Sequence, residues 1–132
     1  ETYCYRFLRG ACVPRQEQWE QGLRLQLAAG VAIGPGKAVL LQLIDETGSI
    51  SAAARNLGMG YKTAWVMVES MNEHFVRPLI DVTKGGPKGG GARLTSLGHE
   101  VLQRYRSMEK KAAQAIEADA REFEKLLISK TK

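Results

Sequence analysis

Four side chains suited to contacting a nucleic acid follow Gly60 almost without interruption, namely Tyr61, Lys62, Thr63 and Trp65. Lysine and threonine hydrogen-bond to phosphates and base edges, while aromatic rings combine a large apolar surface with a polar end. At the leading end of an amphipathic helix this set is unusual, and it predicts a helix that contacts DNA. The alternative for the two aromatic rings is that they only complete the hydrophobic core.

A second basic group lies in a glycine-rich stretch between residues 84 and 94. Lys84, Lys88 and Arg93 are its charged residues, and no acidic residue accompanies them. Glycine lets the backbone approach a phosphate closely, and the cations favour a polyanion. The pattern predicts contacts with a DNA backbone. A flexible, solvated loop is the alternative.

Neither group has the spacing of a catalytic or nucleotide-binding motif. A P-loop needs Gly-x-x-x-x-Gly followed by lysine and then serine or threonine. Gly86 and Gly91 have the first spacing, but alanine and arginine follow them, and the Lys62-Thr63 pair lacks the preceding glycine. No paired acids, Ser/His/Asp set or Cys/His pair has a convincing spacing. We therefore expect no enzymatic activity.

The cysteines and the net charge limit the compartment and the partners. Cys4 and Cys12 are the only cysteines in 132 residues, too few for a disulfide framework, and with His74 and His99 they match no common zinc spacing. We expect neither a metal nor a cofactor. The net charge of +5 favours anionic partners. No membrane-spanning run or signal peptide is recognisable, so we expect a cytoplasmic protein without a membrane partner.

The first basic group is positioned by two short predicted helices between Ser49 and Phe75. Ser49 suits an N-cap, and Gly58 suits the left-handed residue that ends a helix. Apolar residues recur at helical spacing on both sides of the turn, at Ile50, Ala53, Ala54 and Leu57 and then at Ala64, Val68, Met71 and Phe75. A small-residue helix, a glycine-containing turn and a second amphipathic helix predict a helix-turn-helix.

Supporting elements are predicted before this motif. Apolar and polar residues alternate from Leu23 to Leu27, which is the period of a half-buried strand. Pro35 is well placed to open a helix, because its missing N–H costs nothing in the first turn. This helix ends before Gly48 and supports the core under the other two.

After the motif, the chain predicts a β-hairpin. Residues 79–83 and 92–95 have the composition of two strands, joined by the glycine-rich stretch. Beside a helix-turn-helix, such a hairpin is a wing. The fold class is therefore mainly α with a small β-hairpin, a winged helix-turn-helix over residues 22–94. Residues 1–21 show no helical or strand period and are interpreted as an arm of unknown role.

A long C-terminal helix is predicted over residues 95–132, with Thr95 as its N-cap. Its apolar stripe is Val101, Tyr105, Met108, Ala112, Ile116, Ala120, Phe123 and Leu127. The stripe runs past what a small winged domain needs to cover itself, so we expect a homodimer that buries Val101, Tyr105, Met108, Ala112, Ile116 and Phe123. A solitary frayed helix is the alternative.

Several stretches resemble the N-terminal DNA-binding domain of ModE, the bacterial molybdate-responsive transcription regulator, which has a LysR-like winged helix. They are Gly48 to Ala54, Tyr-Lys-Thr-Ala-Trp from Tyr61, Met71-Asn72, and Gly85 to Thr95. The resemblance runs from about Gly22 to about Lys111. Two departures are Gly60, where a serine is expected, and Pro87 within the wing.

The resemblance implies a dimeric, sequence-specific regulator. Ser51, Tyr61, Lys62, Thr63 and Trp65 would face the DNA groove, and the three basic wing residues would face phosphates. Full-length members carry molybdate-binding repeats that are not present in this sequence, so we expect no molybdate binding by this chain alone. A separate molybdate-sensing protein is then a candidate partner, and the alternative is that the sequence is a fragment of a longer protein. The alternative function is a winged-helix module that binds protein without reading a DNA sequence.

Overall fold

A computed structural model describes residues 23–83 and 91–128, and this part of the chain is mainly helical. Its α-helices are α1 Pro35–Thr47, α2 Ile50–Leu57, α3 Tyr61–His74 and α4 Ser96–Glu124. Its strands are β1 Leu25–Gln26, β2 Ala32–Ile33, β3 Ile80–Thr83 and β4 Gly91–Leu94. They form two antiparallel hairpins, β1 with β2 and β3 with β4. The predicted winged helix-turn-helix with a long last helix is confirmed.

Local signals set the ends of α1 and α2. Pro35 occupies the first turn of α1, and Gly48 ends that helix with a φ of 72°, a left-handed conformation that favours glycine. Ser49 caps α2 by accepting a hydrogen bond from the Ala52 N–H at 3.1 Å. Gly58 closes α2 with a φ of 67°. These caps confirm the predicted helix boundaries.

The main hydrophobic core lies between α1, α2, α3 and the wing formed by β3 and β4. Small side chains of α2 let the neighbouring helices approach, because Ala53 and Ala54 are both buried. The predicted α3 stripe is buried at Ala64, Val68 and Met71, whereas Phe75 lies just past the helix and is half-buried. This packing fixes the outward face of α3.

The wing is joined to the helices through backbone hydrogen bonds. In its register Ile80 pairs with Leu94 and Asp81 pairs with Arg93. The Ala92 N–H also donates to the Gly48 carbonyl at 2.9 Å, which ties β4 to the end of α1. Lys84 and Lys88, predicted at the tip, lie outside the described residues.

The first hairpin corrects the prediction for Leu23 to Leu27. The strand covers only Leu25–Gln26, and a 3-10 turn over Ala28–Gly30 leads into β2. Leu27 is exposed, because its N–H donates to the Val31 carbonyl at 2.6 Å and the chain turns there. The alternation therefore ends before Leu27, and the predicted strand was too long. The expectation of a single β-hairpin missed β2 and its pairing with β1.

The start of α4 packs on a second core cluster and corrects the interpretation of its stripe. Thr95 caps the helix as predicted, accepting from the Gly98 N–H at 3.0 Å. Tyr105 is only 1% exposed, and its hydroxyl donates to the Leu23 carbonyl at 2.6 Å. Val101 packs against the same cluster. The expectation that the stripe has nothing to bury against within the chain is therefore wrong for these two residues.

A charged pair lies beside Tyr105, at the point where α4 leaves the core. Arg106 donates to Glu109 at 2.9 Å and to Gln42 of α1 at 2.9 Å. Burial raises the pKa of Glu109, although the nearby guanidinium opposes that shift. Burial also raises the pKa of the Tyr105 hydroxyl. Past Glu109, no described residue of α4 is buried. The helix itself ends at Glu124, so Leu127 lies beyond it.

None of the helices in residues 23–83 and 91–128 is both long and apolar enough to cross a membrane.

Candidate nucleic-acid interface

The leading turn of α3 presents three polar or aromatic side chains to solvent. Tyr61, Lys62 and Thr63 are all exposed, as the sequence predicts for a DNA-contacting turn. They are held outward because the opposite side of the helix is fixed in the core by Ala64 and Val68. The first turn contains no acidic residue that would repel a phosphate.

Trp65 serves the core and the surface together. Its ring is half-buried and packs against the main core cluster, which agrees with the alternative that it completes the core. The ring also meets Tyr61 edge to face, with centroids 6.1 Å apart and an interplanar angle of 77°. Trp65 therefore packs against Tyr61 on the side toward the core, and Tyr61 is the more exposed of the two aromatic side chains.

Gly60 leaves the N-terminus of α3 without a side-chain cap. It occupies the N-cap position in an extended conformation and makes no side-chain hydrogen bond. The first N–H groups of a helix have no partner within that helix, and they attract anions. A serine would occupy one of these donors. Glycine leaves these N–H groups available to a phosphate. This is the physical effect of having Gly60 where a serine is expected.

Ser51 and Arg93 are the remaining predicted DNA contacts within the described residues. Ser51 is half-buried in the first turn of α2. Arg93 is exposed on β4, but its guanidinium lies 3.9 Å from the Asp81 carboxylate on β3. Residues 84–94 contain no acid, as noted from the sequence, but the strand register brings Asp81, which lies outside that range, opposite the arginine.

Asn72 connects α3 to the wing, a role that the sequence did not predict. Its side-chain oxygen accepts from the N–H groups of Leu79 and Ile80 at 2.9 and 3.0 Å. Its amide nitrogen donates to the Ile80 carbonyl at 3.0 Å. The sequence singled out Asn72 only as part of the Met71-Asn72 pair that carries the family resemblance, without indicating these contacts. Asn72 ties the last part of α3 to the start of the wing.

The residues predicted for dimerisation separate into two groups. Val101 and Tyr105 belong to the core of their own chain, as described above. The later ones are half-buried or exposed: Met108 is 39% exposed, Ile116 45% and Phe123 67%, with Ala112 between them. Neither core cluster of the described residues includes this second group, which is therefore the part of the stripe best placed to contact a partner helix.

The described residues contain no group of three or more histidine, cysteine, aspartate or glutamate side chains that could hold a metal ion. What they do present is an exposed helix N-terminus, a short hairpin with an outward arginine, and a hydrogen-bonded connection between that helix and the hairpin. This is the arrangement of a winged helix-turn-helix domain, in which one helix enters a DNA groove.

Comparison with known proteins shows which family this domain resembles. Residues 37–99, from α1 to the first turn of α4, match the family described as bacterial regulatory helix-turn-helix protein, lysR family. This part of the chain is similar to that family.

Several curated proteins are similar to a larger part of the chain. The molybdenum-pterin-binding protein MopB of Rhodobacter capsulatus is 40% identical over 98 residues, which is 74% of this chain and 35% of that protein. The transcriptional regulator ModE of Haemophilus influenzae is 39% identical over 88 residues, 67% of this chain and 34% of its own length. The dual regulator ModE of Escherichia coli K12 is 37% identical over 83 residues, covering 63% and 32%.

The chain thus spans about a third of the length of the curated relatives it matches. Over that part, the resemblance to ModE-type regulators that the sequence suggests is confirmed. The chain carries a DNA-binding domain of the kind found in transcription regulators.

Proposed function

We propose that this chain is a sequence-specific, DNA-binding transcription regulator of the ModE type that acts as a homodimer in the cytoplasm. The observation that carries the proposal is the exposed leading turn of α3, where Tyr61, Lys62 and Thr63 project from a helix whose other face is locked in the core. Such a turn is the part of a recognition helix that reaches base edges. Catalysis plays no part in this function.

The two DNA-facing elements have different tasks in this proposal. Lys62 lies within reach of base edges and contributes discrimination between sequences. Arg93 projects from the wing and contacts phosphate, which contributes affinity for any sequence. Asn72 maintains their relative position through its three hydrogen bonds to the start of the wing.

Dimerisation follows from the shape of α4. The helix continues for 15 residues beyond Glu109, over residues 110–124, without a buried side chain. An isolated helix is marginal in water, so this segment needs a partner to be stable. A second copy supplies one, with Met108, Ala112, Ile116 and Phe123 at the contact.

We propose further that these residues do not bind molybdate themselves. The names of the relatives connect them with molybdenum, but the matched family segment is a helix-turn-helix regulator domain. The molybdate signal would then come from outside these residues, either from a separate molybdate-sensing protein or from a further part of a longer chain. Calorimetric titration of the chain with molybdate tests this point, because saturable binding would contradict it.

The test of DNA binding starts with selection of a preferred duplex from a random library. Fluorescence anisotropy then compares that duplex with a random one at several salt concentrations. Lys62→Ala is expected to reduce discrimination by roughly 1–3 kcal/mol, because a base contact is lost. Arg93→Ala is expected to weaken both duplexes equally and to flatten the salt dependence by about one unit, because a phosphate contact is lost.

Two outcomes contradict the proposal. Absence of duplex binding by the wild-type chain at low salt removes it altogether, since phosphate contacts are then at their strongest. Equal weakening of both duplexes by Lys62→Ala would make that residue a phosphate contact and leave base reading unassigned.

A further inference from the structure

Val66 is an apolar side chain that α3 directs into water. It is 60% exposed, although Ala64 and Val68 on either side of it are buried. Valine is not a favoured helix residue on a solvated face, because its branched side chain is restricted there. Packing within the described residues therefore gives no reason for an apolar side chain at this position.

The neighbours of Val66 on the same face are charged residues of opposite sign. Lys62 lies four residues before it and Glu69 three residues after it, and both are exposed. At about 100° and 1.5 Å per residue, the three side chains form one row along the helix, with Lys62 about 6 Å and Glu69 about 4.5 Å from Val66 along the axis.

This row is chemically suited to the floor of a DNA groove. A face that contacts phosphates consists of cations and hydrogen-bond donors, whereas this row also contains an apolar residue and an acid. Base edges in the major groove offer partners for each kind: acceptors on guanine for lysine, the amino group of cytosine for a carboxylate, and the methyl group of thymine for an apolar side chain.

We propose that Val66 reads the C5-methyl group of a thymine in the major groove, one helical turn beyond the contacts made by Lys62. The inference rests on the proposed DNA-binding function and adds a specificity-determining residue to it. It implies that the preferred duplex contains a thymine at one position. A duplex with a pyrimidine that lacks the methyl group at that position should bind more weakly.

The experiment replaces thymine by deoxyuridine, one position at a time, in the duplex selected with the wild-type protein. This change removes only the methyl group. Anisotropy is expected to show about fourfold weaker binding at one position per half-site, the effect of exposing a methyl group that was buried. Val66→Ala is expected to weaken binding of the thymine duplex by up to a similar factor and to reduce the difference between the thymine and deoxyuridine duplexes, because the shorter side chain makes less apolar contact with the methyl group.

Matched variants and duplexes keep the result interpretable. Alanine is the best helix former, so Val66→Ala does not endanger folding of α3. Val76→Ala makes the same change at an exposed valine beyond the end of α3 and should retain the wild-type response to deoxyuridine.

Three results would overturn the inference, and one is separate from it. The first is that deoxyuridine has no effect on affinity at any position. The second is that Val66→Ala keeps the full difference in affinity between the thymine and deoxyuridine duplexes, and the third is that Val76→Ala loses this difference. Each would exclude Val66 as the thymine reader while DNA binding stands. Failure of the wild-type chain to prefer any selected duplex would instead remove the proposed function.

Discussion

At the scale of single residues, the wing carries an arginine whose positive charge is partly offset by a nearby carboxylate. Arg93 and Asp81 face each other across the hairpin, and both side chains are largely exposed. In water such a pair contributes little to stability, because solvent screens it. Its consequence for function is larger, since a carboxylate next to the arginine lowers the positive potential that a phosphate would meet.

Asp81→Asn is therefore expected to strengthen binding to all duplexes by about two- to fivefold at low salt, the size typical of one exposed charge interaction. The gain in affinity should shrink at higher salt, because salt already screens the repulsion between the Asp81 carboxylate and the phosphates and less repulsion is left to remove. Anisotropy titrations at two salt concentrations measure it. The matched control is Glu124→Gln, which changes the net charge equally at the far end of α4. An equal gain in the control would mean that only net charge matters.

The exposed positions of Lys62 and Thr63 were easier to predict from the sequence than the acidic neighbour of Arg93. Lys62 and Thr63 were predictable because their positions on α3 follow from the period of a single helix. Asp81 lies outside residues 84–94, and only the strand register places it beside Arg93. Trp65 packs against the core with a half-buried ring, a position that helical period alone does not decide, and its contact with DNA stays a prediction.

At the scale of elements, the geometry of the DNA-binding surface depends on the joint between α3 and the wing. Asn72 satisfies the N–H groups of Leu79 and Ile80, which are both buried residues without access to water. Thr95 adds a second tie from the other strand, with its N–H donating to the Leu79 carbonyl at 2.9 Å. At the start of the wing, the N–H groups of Leu79 and Ile80 and the carbonyl of Leu79 therefore all have hydrogen-bond partners.

Asn72→Ala is expected to lower the free energy of unfolding by about 2–4 kcal/mol, because it leaves two buried N–H groups without a partner. Urea denaturation followed by circular dichroism measures this loss. Asn56→Ala is the matched control: it removes an exposed side-chain hydrogen bond on α2 and should change stability by less than about 0.5 kcal/mol. Similar losses in both variants would show that Asn72 does not hold the joint.

Elements whose ends depend on neighbouring residues were predictable from the sequence. The caps at Ser49, Gly58 and Thr95 depend on contacts within a few residues, and all three are confirmed. The first hairpin depends on a distant partner, because Tyr105 lies 82 residues beyond Leu23, whose carbonyl it holds. No local period carries that information, so β1 and β2 were missed or misplaced.

At the scale of the whole molecule, α4 has two different halves. The half up to Glu109 is part of the domain, through Tyr105 and the Arg106–Glu109 pair. The half over residues 110–124 extends about 22 Å without a buried residue. Periodicity predicted one continuous stripe, because an apolar residue that faces its own core and one that faces a partner have the same spacing.

Replacing Met108 and Ile116 together by glutamate is expected to convert a homodimer into a monomer. Two carboxylates at the centre of an apolar helix contact would lose hydration and repel their copies across the two-fold axis. The domain core should survive, because neither side chain is among its buried residues. Light scattering at tens of micromolar should show twice the chain mass for the wild type and the mass of one chain for the variant, with similar helical content.

The monomer should also lose most of its affinity for a palindromic duplex, because two recognition helices about 34 Å apart can no longer bind successive major grooves together. Added negative charge alone weakens DNA binding, so the control must carry the same charge. Gln103→Glu with Gln114→Glu provides it: both glutamines are exposed, and they lie roughly 180° around α4 from the stripe. This control should stay dimeric and keep most of its affinity. A wild-type monomer that still binds the palindrome tightly would contradict the dimer, and so would a glutamate variant of the stripe that remains dimeric.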